Sequence, residues 1–173
     1  MRLNKAIKVN TPYLPADVVV CIQYRNYRSL NVHDYIEGIQ LYAANDRRWI
    51  TNYPKLHYDN GVRKNSITNG WYKPSVRMFK NARTYMINQN LVPDNLVPSY
   101  FLECLLYNVP SSNFGTSYET TFCNIVNWLS AANLNNFVCQ NEQQNLFGDL
   151  PEQWVVVHAN RFVGALINLW NTW

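Results

Sequence analysis

The sequence lacks the common short motifs of nucleotide-, metal- and serine-dependent catalysis. Its six glycines form neither a GxGxxG nor a GxxxxGK loop, no GxSxG segment occurs, and the acidic residues include no Asp-x-Asp pair. His33, His57 and His158 are far apart and do not have the spacing of metal ligands. The 173 residues therefore display no complete active site of a common class.

Membrane, secreted and disulfide-rich classes are also disfavoured. No apolar run reaches the ~18 residues of a membrane span, and the residues after Met1 include no apolar core typical of a signal peptide. The four cysteines contain no CxxC pair, so they indicate neither a zinc site nor a disulfide framework. We expect buried free thiols in a cytoplasmic protein without a membrane partner.

What the sequence does contain is basic charge in its first half. Seven Lys or Arg residues lie between Asn52 and Arg83, opposed only by Asp59. After Val97 the only basic residue is Arg161. Such a surface suits a polyanion, most simply a nucleoside triphosphate or an RNA backbone, beside a neutral packed body.

Apolar periodicity and turn residues predict an α+β chain, with strands first and helices afterwards. The predicted strands are Ala16–Tyr24, Tyr35–Tyr42 and Arg48–Thr51, the last two forming a hairpin, and a loop follows over 52–71. The predicted helices run from Pro74 to about Asn90, over Tyr100–Tyr107 with Ser99 as cap, over Tyr118–Ala132, and from Pro151 or Glu152 to about Trp170. We expect a β region with a basic loop over 1–72 and a helical lobe over 73–173.

Several segments, taken in order, resemble the bacterial CD-NTases of antiphage signalling, nucleotidyltransferases related to cyclic GMP-AMP synthase and oligoadenylate synthase. The similar segments are Ala16–Arg25, Asn52–His57, Asn60–Asn65, Ser75–Arg83 and Pro98–Pro110. Each is short, and in order they extend over residues 16–110, which is more than half of the chain. The resemblance implies the last strands and hairpin of a nucleotidyltransferase sheet, packed on a mostly helical C-terminal lobe.

The resemblance also implies chemistry, namely metal-assisted attack of a hydroxyl on a nucleoside triphosphate. Asp17 matches the family's third catalytic carboxylate, which helps to ligate Mg²⁺ or Mn²⁺. The alternative is an acidic residue that only solvates a strand end. Nothing in this sequence matches the family's first two carboxylates. We therefore expect the C-terminal part of such an enzyme, inactive by itself and completed by the missing half in cis or in trans.

The same resemblance assigns nucleotide-binding roles to residues of the helical lobe. Lys80 matches the lysine that reaches the donor triphosphate, with Arg77 beside it as a further phosphate contact or a structural arginine. Ser99 matches a phosphate-binding serine, a role compatible with a helix N-cap. Tyr100 matches a ring that stacks on a nucleobase, and a core tyrosine is the equal alternative.

The resemblance thus predicts an enzyme that makes cyclic or linear oligonucleotide signals from nucleoside triphosphates such as ATP. Two alternatives remain open at this point. One is a non-catalytic module that binds nucleotide, RNA or another polyanion. The other is a structural remnant that self-associates through exposed sheet edges.

Overall fold

The computed structural model describes residues 6–150 and 152–172, which form five strands followed by five α-helices. The strands are β1 (Ile7–Asn10), β2 (Pro15–Val18), β3 (Ile22–Tyr27), β4 (Tyr35–Ala43) and β5 (Arg48–Asn52). The helices are α1 (Pro54–Ile67), α2 (Tyr72–Asn88), α3 (Ser99–Tyr107), α4 (Tyr118–Ala131) and α5 (Val156–Thr172). The predicted α+β class is confirmed.

The chain separates into two compact units, one reaching to Lys55 and the other beginning at Leu56. The functional division expected after residue 72 stays a prediction. None of the described helices is both long and apolar enough to span a membrane.

The first unit contains two small antiparallel sheets. Strands β1 and β2 form one sheet, and β3, β4 and β5 form the other with β4 in the centre, which confirms the predicted hairpin. Leu41, Ala43 and Ile50 form its small buried core. Gly38 on β4 is required by close packing, because a Cβ atom there would lie 2.8 Å from the carbonyl oxygen of Asn52.

The single strand predicted over Ala16–Tyr24 was wrong. The chain pairs with β1 as far as Val18, leaves the ladder, and joins the second sheet from Ile22 onwards. A β-branched sequence indicates extended backbone but does not specify which partner each residue pairs with. The predicted strand therefore contributes residues to both sheets.

The second unit is built around one apolar core shared by α2, α3, α4 and α5. Phe79 of α2 stacks on Phe122 of α4 with 5.1 Å between ring centroids, and Phe122 stacks on Trp170 of α5 at 5.2 Å. Phe101 and Phe162 are fully buried in the same core. Each fully buried side chain of this size contributes roughly 1.5–3 kcal/mol, so the core fixes α2 and α3, two of the helices that carry the site.

The loop predicted over 52–71 was also wrong, because α1 occupies most of it. Pro54 is the first residue of the helix, where its missing N–H costs nothing. Of the two Asn-Gly pairs, only Asn69-Gly70 makes a turn, with φ values of 51° and 84°. Gly61 lies inside the helix, where a Cβ would come within 2.5 Å of the side-chain nitrogen of Gln140.

Three smaller predictions need correction. Pro98, not Ser99, occupies the cap position of α3, and no side chain caps that helix. Helix α5 begins at Val156, because Trp154 still pairs through its backbone with Leu146, with an N···O distance of 2.8 Å; Pro151 lies outside the described residues. All four cysteines are free as predicted, but only Cys104 and Cys139 are buried; Cys123 is half-buried and Cys21 is exposed.

Candidate functional site

An ion-paired carboxylate joins two of the central helices of the second unit. Lys80 of α2 donates a hydrogen bond from its Nζ to Oε1 of Glu103 on α3. The other carboxylate oxygen, Oε2, lies 2.8 Å from Nε2 of His57 on α1. The single hydroxyl proton of Tyr72 is shared between two acceptors, the backbone carbonyl of Glu103 at 2.9 Å and the side-chain oxygen of Gln140 at 2.5 Å. Glu103 is therefore held from α1 and α2 at once.

The surroundings of Glu103 keep its side chain ionised. Hydrogen bonds from His57 and Lys80, together with the charge of Lys80, lower the pKa of Glu103 to about 2, although partial burial acts in the opposite direction. An ionised carboxylate only accepts hydrogen bonds, so the Nε2 atom of His57 carries the proton in this contact. Glu103 remains 29% exposed.

An aromatic pair lies next to this carboxylate. The rings of His57 and Tyr100 stack with 5.0 Å between their centroids and 23° between their planes. Burial raises the pKa of the Tyr100 hydroxyl, so the phenol is neutral at physiological pH. Tyr100 as a whole residue is still 39% exposed, and the exposed Ser99 precedes it as the first residue of α3.

Glu103 also lines a cavity of about 350 Å³ between α1, α2 and α3. Its lining residues are His57, Tyr58, Gly61, Tyr72, Lys73, Val76, Arg77, Glu103 and Gln140. Gln140 forms one wall, because it accepts a hydrogen bond from the Tyr72 hydroxyl at 2.5 Å and donates to the backbone carbonyl of His57 at 2.6 Å. The cavity thus has a fixed polar wall and two exposed cations, Lys73 and Arg77.

The basic surface expected from the sequence is largely neutralised in the structure. Arg63 pairs with Glu142 at 2.6 Å, Arg83 pairs with Asp94 at 3.0 Å, and Lys80 pairs with Glu103. Lys64 is buried, where its Nζ donates to the carbonyl oxygen of Val109 at 2.6 Å, and burial lowers its pKa. Within the described residues, Arg77 has no carboxylate partner.

The structure brings most, but not all, of the predicted site residues together. Lys80 and Tyr100 are linked through the Glu103–His57 contacts, and Arg77 borders the same cavity. Asp17 lies on the exposed strand β2 of the first unit, opposite Lys8. The described residues contain no group of three or more His, Cys, Asp or Glu side chains that could hold a metal ion.

A family model for the cGAS/DncV-like nucleotidyltransferase C-terminal helical domain matches residues 59–171, which is more than half of the sequence. The chain belongs to this family. The match begins inside α1 and ends inside α5, so it includes Arg77, Lys80, Ser99 and Tyr100 as well as Glu103.

Individual members of this family agree with that assignment. The cyclic UMP-AMP synthase of Rhodothermus marinus is 57% identical over 174 residues, covering 99% of this chain and 60% of that protein. The cyclic nucleotide synthase CdnE01 of Staphylococcus haemolyticus is 41% identical over 177 residues, covering 98% of this chain and 59% of that protein. The chain therefore spans about three fifths of the length of these relatives.

Solved structures give the same result for the fold. The Rhodothermus marinus CdnE c-UMP-AMP synthase with Apcpp and Upnpp has a TM-score of 0.95 at 56% identity, and covers 100% of this chain and 60% of that one. The Elizabethkingia meningoseptica CdnE cyclic dinucleotide synthase with GTP and Apcpp has a TM-score of 0.82 at 31% identity, over 99% of this chain and 63% of that one.

Three residues of the site were not identified from the sequence. His57, Glu103 and Gln140 come from α1, α3 and the segment before α5, and each is separated from the next by more than 30 positions. No local spacing connects them. Only the glutamate inside the Ser99–Tyr107 helix offered a signal, as an acidic residue among apolar neighbours.

Proposed function

We propose that this chain is the C-terminal part of a nucleotidyltransferase that makes cyclic or linear oligonucleotide second messengers for antiphage defence in the cytoplasm. Its own contribution is to hold a nucleoside triphosphate. The observation that carries this proposal is that Lys80 and the stacked His57–Tyr100 pair meet at Glu103, which lines the same cavity as Arg77. Two relatives with this fold were solved with nucleotides or their analogues, which supports the same ligand class here.

Each residue has a chemical role that its surroundings allow. The Lys80 ammonium has three donors and gives one to Glu103, so further donors can face phosphate oxygens. Arg77 adds an exposed guanidinium, which binds phosphate through paired N–H groups. The hydroxyl of Ser99 can donate to the same phosphates. The partly exposed ring of Tyr100, backed by His57, offers a flat surface for a nucleobase.

The described residues do not supply a complete magnesium site. Asp17 is a single exposed carboxylate on β2, and Mg²⁺ requires near-octahedral oxygen coordination. We propose that Asp17 contributes one catalytic ligand to an Mg²⁺ or Mn²⁺ site whose other carboxylates lie outside this sequence. The chain alone should therefore bind nucleotide without converting it, and turnover should require the missing half.

Titration calorimetry of the chain with ATP, GTP and UTP tests the binding proposal. We expect micromolar binding that Lys80→Ala weakens at least tenfold, because the substitution removes the phosphate cation. Arg161→Ala on α5 is the matched control, since it removes one positive charge from an exposed helical position and should leave affinity unchanged. Circular dichroism checks that both variants fold.

Two results would overturn the proposal. The first is no binding by the folded wild-type chain, or binding that Lys80→Ala leaves intact. The second is turnover by the chain alone. We expect that the chain incubated with ATP and Mg²⁺ gives no oligonucleotide product on chromatography. A product formed by the purified chain alone would show that it needs no further carboxylates.

A further inference from the structure

Glu103 is a half-buried acidic residue to which no role has been assigned so far. A carboxylate beside a phosphate-binding lysine is unexpected on electrostatic grounds, because it repels the ligand that the lysine attracts. Its geometry indicates why it is there. Both of its oxygens are engaged, Oε1 by Lys80 and Oε2 by His57.

We propose that Glu103 is a positioning residue that fixes Lys80 for contact with the triphosphate. This inference rests on the proposed nucleotide-binding function. Lysine has a flexible four-carbon stem, and holding it in one conformation costs side-chain entropy. The contact with Glu103 orders the Lys80 side chain before the ligand binds, because it holds the ammonium against α3 and leaves its other donors free.

Glu103 can do this because it is itself held in place. His57 anchors its second oxygen from α1, and the stacked ring of Tyr100 limits how far His57 can turn. The backbone carbonyl of Glu103 accepts from Tyr72, which also bonds to Gln140. The carboxylate is therefore fixed relative to three helices, and Lys80 with it.

The same contacts connect Lys80, the proposed phosphate-binding cation, and Tyr100, the proposed base-stacking ring, to the carboxylate of Glu103. Lys80 lies on one oxygen, and the His57–Tyr100 stack lies on the other. A triphosphate on Lys80 and a base on Tyr100 would thus meet groups whose separation is set in advance. Pre-organisation of this kind increases affinity by reducing the ordering cost of binding.

The test is Glu103→Gln, measured by calorimetric titration with ATP against Glu142→Gln. Both substitutions remove one negative charge, and neither Glu142 nor Arg63, its ion-pair partner, lines the cavity that Glu103 lines. Charge repulsion alone predicts tighter ATP binding for Glu103→Gln. We expect the opposite, roughly five- to tenfold weaker binding, because the neutral amide holds the ammonium less firmly. Glu142→Gln should stay within about twofold of wild type.

A double-mutant cycle distinguishes positioning from a general structural effect. In a Lys80→Ala background, Glu103→Gln should no longer weaken ATP binding, because only the loss of charge repulsion is left to act. Glu103→Asp keeps the charge but shortens the reach, and it should weaken binding too; it serves if the glutamine variant does not fold.

The possible results distinguish the positioning role of Glu103 from the proposed nucleotide-binding function. Equal or tighter ATP binding by Glu103→Gln, with Lys80 still required, would overturn the positioning role alone. The positioning role would also be overturned if Glu103→Gln weakened ATP binding as much in the Lys80→Ala background as it does in the wild-type chain. Absence of ATP binding by the folded wild-type chain would overturn both the positioning role and the proposed function.

Discussion

Replacing Gly61 with alanine should destabilise the protein, although alanine favours helices. Gly61 lies inside α1, where Gly→Ala normally gains about 0.5–1 kcal/mol. Here the new Cβ would lie 2.5 Å from Nε2 of Gln140. That amide cannot simply turn away, because it bonds to the Tyr72 hydroxyl and to the carbonyl of His57.

The expected magnitude follows from these opposing effects. Overpacking of a fixed interior typically costs about 1–3 kcal/mol. Each hydrogen bond lost by Gln140 costs about 1 kcal/mol more. After subtraction of the helix-propensity gain, we expect Gly61→Ala to lower the free energy of unfolding by about 1–3 kcal/mol.

Gly164 provides the matched control for this experiment. It lies inside α5, and a Cβ built there meets no atom within 4 Å. Gly164→Ala should therefore raise the free energy of unfolding by about 0.5–1 kcal/mol. Urea denaturation followed by far-ultraviolet circular dichroism measures both, since both glycines lie in helices.

The double variant Gly61→Ala/Gln140→Ala completes the design. Removing the Gln140 side chain relieves the clash, so the penalty of Gly61→Ala should largely disappear in that background. If Gly61→Ala proved as stabilising as Gly164→Ala, Gln140 would be free to move, and the rigid cavity wall described above would be refuted.

Two further predictions concern the same unfolding experiment. Ser117→Ala should lower the free energy of unfolding by about 1 kcal/mol, because Ser117 caps α4 by accepting from the backbone N–H of Thr120 at 3.1 Å; an unchanged midpoint would contradict the cap. The pKa of Glu103, lowered to about 2, makes the folded state bind this proton less readily than the unfolded state. Its contribution, at most about 2–3 kcal/mol for a side chain 29% exposed, should be complete above about pH 4.5 and be lost as the pH falls towards 2, and Glu103→Gln should remove that part of the acid dependence.

The helices α2 and α4 could be predicted from the sequence because their buried faces are apolar. Phe79 and Met86 on α2, and Phe122, Ile125 and Leu129 on α4, recur at helical spacing and enter the core. Periodicity of this kind is visible without any knowledge of the partner.

Helix α1 could not be predicted in the same way, because its buried residues are Asn60, Gly61 and Lys64. Polar bonds hold it in place: Asn60 donates to the carbonyl of Gln140, and Lys64 donates to that of Val109. Neither acceptor is near in sequence. An apolar stripe was therefore absent, and the Asn-Gly pair indicated a turn instead.

The residues of the candidate site also differ in whether they could be predicted from the sequence. The family resemblance predicts roles for Lys80, Arg77, Ser99 and Tyr100 from short segments within single helices, and those roles stay predictions. His57 and Glu103 are 46 positions apart and meet only when α1 and α3 pack. Their pairing is a property of tertiary structure that no local pattern could reveal.

The ion pairs along α1 and α2 also change how an anionic polymer would respond to salt. Of the seven cations between Asn52 and Arg83, only three are neither buried nor paired with a carboxylate within the described residues: Lys55, Lys73 and Arg77. Each phosphate contact on a single strand contributes about −0.7 to the slope of log affinity against log salt. Seven contacts would give a slope near −5, whereas these three together with Lys80, which keeps donors for phosphate while it is paired with Glu103, give roughly −3. Few counterions would be released, so a long polyanion gains little here over a short one such as a triphosphate.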